Sequence, residues 1–156
     1  MKLLTLPLLL CAMIALSRGA GDVSPTCSDN WTKIGSRCFG YVLTPMSWSE
    51  AEKNCVSMGG HLASVHSADE NQDIQSLIWS ITHNYKDTWV GGSDQSKEGV
   101  WTWTDGTQFS FKGWCRGEPN NSGNGQHCLQ INYQVNRCWD DFFCEQKYPS
   151  ICAKKI

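Results

Sequence analysis

Hydrophobic residues recur with two different periods along the chain, and the change falls near Thr88. Before this point, two segments carry apolar residues at the spacing of one helix face. They are Trp48, Ala51, Cys55 and Met58 in the first segment and Ile74, Leu77 and Ile78 in the second. After it, short alternating or apolar runs bounded by glycine and other turn residues are typical of strands. Helices followed by several short strands predict the α+β class.

Both predicted helices carry a start signal. Ser47 with Glu50, and Ser67 with Glu70, have the spacing of a capping box, in which a hydroxyl and a carboxylate satisfy free backbone amides. Gly59-Gly60 is predicted to end the first helix, because glycine adopts the left-handed conformation without a steric penalty.

The predicted strands are short and are separated by turn residues. They cover residues 38–43, 62–65, 89–92, 100–103, 129–133, 138–141 and 150–153. Cys27 and Cys38 suggest a disulfide-stapled hairpin before the first helix. Residues 115–127, rich in glycine, asparagine and proline, are predicted to form a long loop.

The first 20 residues are predicted to lie outside the fold. Lys2 gives a basic start, residues 3–16 are almost continuously apolar, and small residues follow up to Ala20. This is the pattern of a secretory signal peptide, and the apolar run is too short to span a membrane. We therefore predict a soluble, secreted protein with a short polar lead-in at residues 21–26.

Charge and cysteine content narrow the function classes. Without residues 1–20, 11 basic side chains stand against 15 acidic ones, whereas nucleic-acid binding requires a basic face. Eight cysteines remain, and an even number in a small exported chain indicates four disulfides, although spacing alone does not assign the pairs. No Cys-x-x-Cys pair occurs, which disfavours a zinc site. Asn30-Trp31-Thr32 is an N-glycosylation sequon.

One stretch near the C-terminus, from 118 to 141, concentrates oxygen-bearing side chains between cysteines. Its members are Glu118, Asn120, Gln126, Asp140 and Asp141. A hard cation such as Ca²⁺ takes roughly six to eight oxygen ligands from carboxylates, amides and carbonyls. The simpler alternative is a solvated polar loop. His61 and His66 lack a His-Glu-x-x-His pattern, and we interpret them as structural or solvated.

Three short motifs, together with the cysteines, resemble the C-type lectin-like domain family over residues 27–154. The motifs are Trp89-Val90-Gly91-Gly92, Glu118-Pro119-Asn120 and Trp139-Asp140-Asp141. The resemblance implies two helices flanking two small antiparallel sheets, with a long calcium-binding loop. It also implies three disulfides and leaves two cysteines to form a fourth, similar to one in fish type II antifreeze proteins and related fish lectins. The pairs are Cys27–Cys38, Cys55–Cys152, Cys128–Cys144 and Cys115–Cys138.

The resemblance also implies a site. In sugar-binding members of the family, Ca²⁺ lies in the long loop and two neighbouring sugar hydroxyls ligate it directly. The metal ligands carried over to this chain are Glu118, Asn120, Gln126, Asp140 and Asp141, and the first four would also contact the sugar. Pro119 would follow a cis peptide bond. The Glu-Pro-Asn order implies equatorial 3,4-hydroxyls, which are those of the mannose, fucose and N-acetylglucosamine class.

Two positions depart from the family pattern, which usually has Glu at 126 and Asn at 140. Because the two charge changes oppose each other, three carboxylates and two amides remain for a metal. The hydrogen-bond pattern toward a sugar does change, since an ionised Asp140 only accepts. Asp94, Glu98 and Asn121 partially match an auxiliary calcium site, with solvated surface residues as the competing interpretation.

The leading hypothesis is a calcium-dependent lectin of innate defence or venom that binds mannose-type glycans on microbes or cells. An ice-binding protein and a metal-free protein-binding module are the alternatives. Thr102, Thr104 and Thr107 are candidates for an ice-binding face. Antifreeze members carry a further disulfide where Asp94 and His127 stand here, and the Glu-Pro-Asn motif favours sugar.

Neither an enzyme nor a built-in oligomer is predicted. The sequence shows no combination of a nucleophile with a general base. It also shows no pair of carboxylates spaced as in a glycosidase. A single shallow sugar site binds weakly, so useful binding requires several sites. No collagen repeat or heptad is present, so a homo-oligomer would form through the domain surface.

Overall fold

The computed structural model describes residues 25–156; the predicted signal peptide and most of the lead-in lie outside the described residues. The elements are β1 (Thr32–Ile34), β2 (Arg37–Met46), α1 (Trp48–Ser57), β3 (His61–Leu62), α2 (Ala68–Thr82), β4 (Thr88–Ser93), β5 (Thr102–Trp103), β6 (Gln126–Tyr133), β7 (Cys138–Phe143) and β8 (Tyr148–Lys155). This order confirms the α+β class. Within residues 25–156, the search for a long apolar helix that could cross a membrane finds none.

Both helices begin at the predicted residues, with different caps. In α1 the box is complete, because the Ser47 hydroxyl accepts the Glu50 amide and the Glu50 carboxylate accepts the Ser47 amide. In α2 the Ser67 hydroxyl accepts the Glu70 amide, but the Glu70 carboxylate accepts a hydrogen bond of 2.7 Å from Arg37 of β2. Glu70 therefore fastens α2 to the sheet.

The predicted helix faces are buried except at two positions. Trp48, Ala51 and Cys55 of α1 are buried, as are Ile74 and Ile78 of α2. Met58 was predicted to share the first face, but it caps the C-terminal end of α1 and is 36% exposed. Leu77 is half-buried.

The strands form one mixed sheet in the order β1-β2-β8-β4-β6-β7, with β3 paired to β8 and β5 to β4. All pairings are antiparallel except that of β4 with β8, where Trp89 lies beside Ser150. The two small antiparallel sheets implied by the resemblance are thus joined through this parallel contact.

Two strands are shorter than predicted. β3 stops at Leu62, although Ala63 still hydrogen-bonds to β8 and β4. β5 begins only at Thr102, because Val100 belongs to a turn in which its amide donates to Lys97 O.

Within residues 25–156, four disulfides fasten the fold, and they join the pairs that the resemblance implied. They are Cys27–Cys38, Cys55–Cys152, Cys115–Cys138 and Cys128–Cys144. The first staples the β1–β2 hairpin, and the second ties α1 to β8. The third ties the loop between β5 and β6, which carries Glu118 and Asn120, to β7, and the fourth joins β6 to the residue that follows β7.

Candidate functional site

The loop before β6 is held against β7, and this brings the predicted site residues together. β6 and β7 are antiparallel, with Gln130 opposite Asp140. Segment 113–115 runs along the outer edge of β7 and exchanges two backbone hydrogen bonds of 2.8 Å with Trp139. The Glu118–Asn120 motif follows directly, and its Glu118–Pro119 peptide bond is cis.

Trp139 fixes the position of β7 just before the two site residues Asp140 and Asp141. The ring is fully buried and meets four aromatic rings edge to face, those of Trp103, Phe109, Phe111 and Trp114. Its indole nitrogen donates to Asn71 Oδ1 of α2 at 2.9 Å. Rigid packing on this side leaves the next two residues, Asp140 and Asp141, in a defined position beneath the loop.

Asp141 anchors the loop through both carboxylate oxygens. Oδ1 accepts the Asn120 amide at 3.0 Å, and Oδ2 accepts the Asn121 amide at 2.7 Å. The side chain is buried, with 1% of the residue surface exposed. Each carboxylate oxygen has a second lone pair, so these bonds leave acceptor capacity for a metal ion.

The two amide side chains of the predicted site converge on one backbone amide. Ser122 N donates to Asn120 Oδ1 at 2.8 Å and to Gln126 Oε1 at 2.9 Å. Asn120 Nδ2 in turn donates to Glu118 Oε1 at 3.0 Å. A continuous set of contacts therefore joins the predicted ligands from both ends of the loop.

Three carboxylates complete the group. Glu118, Asp140 and Asp141 each offer an oxygen, and these oxygens lie within 4.8 Å of one another. None of the three takes part in an ion pair within residues 25–156. Glu118 Oε2 is buried and has no hydrogen-bond partner in the described part of the chain.

This crowding of negative charge perturbs the acids. Burial, followed by the neighbouring charges of Asp140 and Asp141, raises the pKa of Glu118 to about 7. Burial raises the pKa of Asp140 to about 6, against the lowering effect of a hydrogen bond from Gln130. A divalent cation would offset these repulsions, because it favours the ionised form of each carboxyl.

Gln130 is a site neighbour that sequence reasoning missed. Alternation over residues 129–133 is the pattern of a strand with one solvent-exposed face. Instead Gln130 and Asn132 are buried, with 1% and 3% exposure. The sequence carries no local signal for this burial, which follows from the pairing of β6 with β4 on one side and β7 on the other.

The three residues that partially matched an auxiliary calcium site, Asp94, Glu98 and Asn121, do not all come together in the structure. Asp94 and Glu98 do meet, but with His127 rather than Asn121. His127 Nδ1 lies 2.9 Å from Asp94 Oδ1 and 3.2 Å from Glu98 Oε2. Asn121 instead accepts the Gln126 amide through Oδ1.

Ser64, His66 and Asp105 have the composition of a hydrolase triad but not its hydrogen bonding. A triad requires the serine hydroxyl to donate to the imidazole, and the acid to hold the other ring nitrogen. Here the Ser64 hydroxyl donates to Asp105, so His66 Nε2, 2.9 Å away, is left to donate to Ser64. Ser64 is also fully buried. The cluster holds the turn at Asp105 against the sheet.

Comparison with known proteins adds the family context. The family model of the lectin C-type domain matches residues 44–154. A type-2 ice-structuring protein of Brachyopsis segaliensis is 40% identical, over 97% of this chain and 98% of the relative. The galactose-specific lectin nattectin of Thalassophryne nattereri is 36% identical, over 95% and 92%. The crystal structure of a calcium-independent type II antifreeze protein superposes with a TM-score of 0.76 and 41% identity, over 83% of this chain and 95% of that one.

Proposed function

Since the chain belongs to the C-type lectin domain family, we propose that it is a secreted, calcium-dependent lectin of innate defence that acts by binding and not by catalysis. The observation that carries this proposal is the uncompensated cluster of Glu118, Asp140 and Asp141. Buried charges are normally paired or bound to a metal. Two buried acids and one half-buried acid without a cationic partner in the described part of the chain therefore form a group that a bound cation would stabilise.

The donor set fits Ca²⁺. Three carboxylates, the amide oxygens of Asn120 and Gln126, and nearby backbone carbonyls supply the hard oxygen ligands that this ion prefers. Bound calcium would neutralise the cluster and present coordination positions to two neighbouring sugar hydroxyls. Beside the ion, the Glu118 carboxylate would accept a hydrogen bond from one sugar hydroxyl, and Asn120 Nδ2 would donate one to the other. This arrangement of acceptor and donor is that of the Glu-Pro-Asn motif.

The proposed ligands are mannose-class glycans on microbial or cell surfaces, including fucose and N-acetylglucosamine. This follows from the intact Glu118-Pro119-Asn120 motif. One relative is a galactose-specific lectin, so the sugar class needs a direct test.

The decisive experiment is affinity chromatography on mannose–agarose in Ca²⁺ with elution by EDTA. We expect retention, release by EDTA and stronger competition by free mannose than by galactose. The matched variant Glu118→Gln/Asn120→Asp reverses the donor and acceptor and should shift competition toward galactose. No retention together with no calorimetric Ca²⁺ binding would refute the proposed function.

Ice binding is the second candidate, favoured by the 40% identity to a type-2 ice-structuring protein. The proposed threonine face is poorly suited, because its hydroxyls are engaged within the protein. Thr104 donates to Glu52 and Thr107 donates to Asp105, while Thr102 donates to the Ser93 carbonyl. We expect no thermal hysteresis in either Ca²⁺ or EDTA, and measurable hysteresis would favour this second function.

Multivalent binding would require self-association. The exposed apolar side chains of the described residues include Trp79 and Ile81 on α2 and Val135 in the turn after β6. Sedimentation analysis at increasing concentration would test whether copies of the chain associate.

A further inference from the structure

Gln130 lies next to the candidate site, at a buried position where polar side chains are uncommon. It belongs to β6, opposite Asp140 in β7, and is only 1% exposed. Its Nε2 donates to Asp140 Oδ2 at 2.7 Å, in a bond buried at both ends. Its Oε1 has no hydrogen-bond partner in the described part of the chain. An unsatisfied buried acceptor destabilises the fold. The favourable interaction of this side chain is therefore the hydrogen bond that its Nε2 donates to Asp140.

We propose that Gln130 is a positioning residue of the calcium site, which it serves by holding Asp140 Oδ2 and so fixing the orientation of a carboxylate that belongs to the cluster with Glu118 and Asp141. This inference rests on the proposed function. The terminal torsion of an aspartate is broad and roughly two-fold. Without the donor, the carboxylate would rotate, and its oxygen would no longer be fixed at the spacing observed in the cluster, within 4.8 Å of the other two. Outer partners that orient metal ligands commonly contribute 10–100-fold, to order of magnitude, in metal affinity.

The hydrogen bond has a polarity that links the identities of the two residues. A donor at 130 orients an acceptor, so an aspartate at 140 can give its second oxygen to the metal. A glutamate at 130 would instead accept from an asparagine at 140 and leave that asparagine's oxygen for the metal. Gln130 with Asp140 therefore explains how this chain accommodates Asp140 in place of the family's usual asparagine.

The first test is Gln130→Leu, which removes both the donor and the unpartnered oxygen while keeping similar volume. Isothermal titration with CaCl₂ should show roughly a 10-fold or greater loss of affinity, with a small change in thermal midpoint in EDTA. Gln75→Leu is the matched control, because Gln75 Nε2 also donates hydrogen bonds, to Asn132 Oδ1 at 3.0 Å and to the Arg137 carbonyl at 2.7 Å, outside the calcium cluster. It should change stability without changing Ca²⁺ affinity.

The second test is a double-mutant cycle. Gln130→Glu should weaken Ca²⁺ binding in the wild-type background, where two carboxylates would meet. In the Asp140→Asn background the same change should strengthen it, because the introduced carboxylate accepts from the asparagine amide and leaves the asparagine oxygen for the metal. A simple charge effect would strengthen binding in both backgrounds, and that result would overturn the inference. Wild-type protein that binds no Ca²⁺ refutes the proposed function, whereas Ca²⁺ binding unchanged by Gln130→Leu refutes only the role of Gln130.

Discussion

Residues 25–156 hold two clusters of three side chains that could each ligate a metal ion, and the two differ in the partners of their carboxylates. Glu118, Asp140 and Asp141 form an all-carboxylate group, which we name the acidic cluster. Asp94, Glu98 and His127 form the histidine cluster. In each, the ligand atoms lie within 4.8 Å of one another. The two clusters meet in sequence at β6, where Gln126 lies beside the acidic cluster and the next residue, His127, belongs to the histidine cluster.

The difference lies in which side chains the carboxylates contact. In the histidine cluster, His127 Nδ1 stands within 3.2 Å of both carboxylates, and Asp94 Oδ2 also accepts the Gly99 amide at 2.9 Å. In the acidic cluster no basic side chain of the described residues pairs with the carboxylates, and one glutamate oxygen has no partner. The missing basic partner, and not the proximity of the acids, is the reason that we assign calcium to the acidic cluster. We expect one Ca²⁺ per chain.

The largest expected effect comes from removing charge at the centre of the acidic cluster. Asp141→Asn removes a ligand charge and one of the two acceptors that hold the Asn120 and Asn121 amides. Ca²⁺ affinity should fall by more than about 100-fold, since loss of a ligand should exceed loss of an outer partner. The free energy of unfolding in EDTA should fall by about 1–3 kcal/mol.

Asp94→Asn is the matched control for that experiment. It removes the same charge from a side chain that is equally buried, at 3% exposure, but belongs to the histidine cluster. Titration calorimetry should find its Ca²⁺ affinity within about twofold of wild type, because calcium does not use this cluster in our assignment. Equal losses in the two variants would show that the clusters are not distinct.

The next effect would convert one cluster into the other. His127→Asp replaces the imidazole with a third carboxylate and removes the ring nitrogen that lies 2.9 Å from Asp94 Oδ1. In EDTA the variant should be destabilised by about 2 kcal/mol, the cost of leaving a buried charged group unpaired. Saturating CaCl₂ should restore its thermal midpoint, and calorimetry should count two calcium ions instead of one. A variant that still binds one ion would mean that charge compensation is not what separates the clusters.

A smaller effect is the pH dependence of the metal-free protein. The pKa of Glu118 is raised to about 7 and that of Asp140 to about 6, mainly by burial. Unfolded carboxyls titrate near pH 4 (roughly), so the folded protein holds protons that the unfolded chain releases. The stabilisation is full below that pH and is lost as pH rises through the folded-state values.

In EDTA the thermal midpoint should therefore fall between about pH 5 and pH 8, and Glu118→Gln should flatten this dependence. Calcium should reverse the trend, because the ion competes with these protons. A metal-free midpoint that rises over the same interval would contradict the assignment of buried, uncompensated acids.

Sequence reasoning anticipated the acidic cluster better than its surroundings. Local spacing marked the helix caps at Ser47 and Ser67, and the resemblance supplied the disulfide pairs and the five candidate ligands. The burial of Gln130 and the position of His127 were missed because both depend on pairing across the sheet. From Gln126 to Asn132 every residue of β6 except His127 is buried. Alternation of apolar and polar residues indicates that one face of a strand is buried. It does not reveal that both faces of β6 are buried.

The smallest expected effect concerns the rim of the histidine cluster. The Glu98 side chain is 56% exposed, whereas that of its neighbour Asp94 is 2% exposed. An exposed ion pair contributes little, about 0–1 kcal/mol, so Glu98→Gln should lower the free energy of unfolding by no more than that amount. Ca²⁺ affinity and the count of one ion should not change, because Asp94 keeps its contacts with His127 and with the Gly99 amide. If Glu98→Gln reduced Ca²⁺ binding as much as Asp141→Asn, the histidine cluster would itself be a calcium site, and the contrast between the two clusters would be wrong.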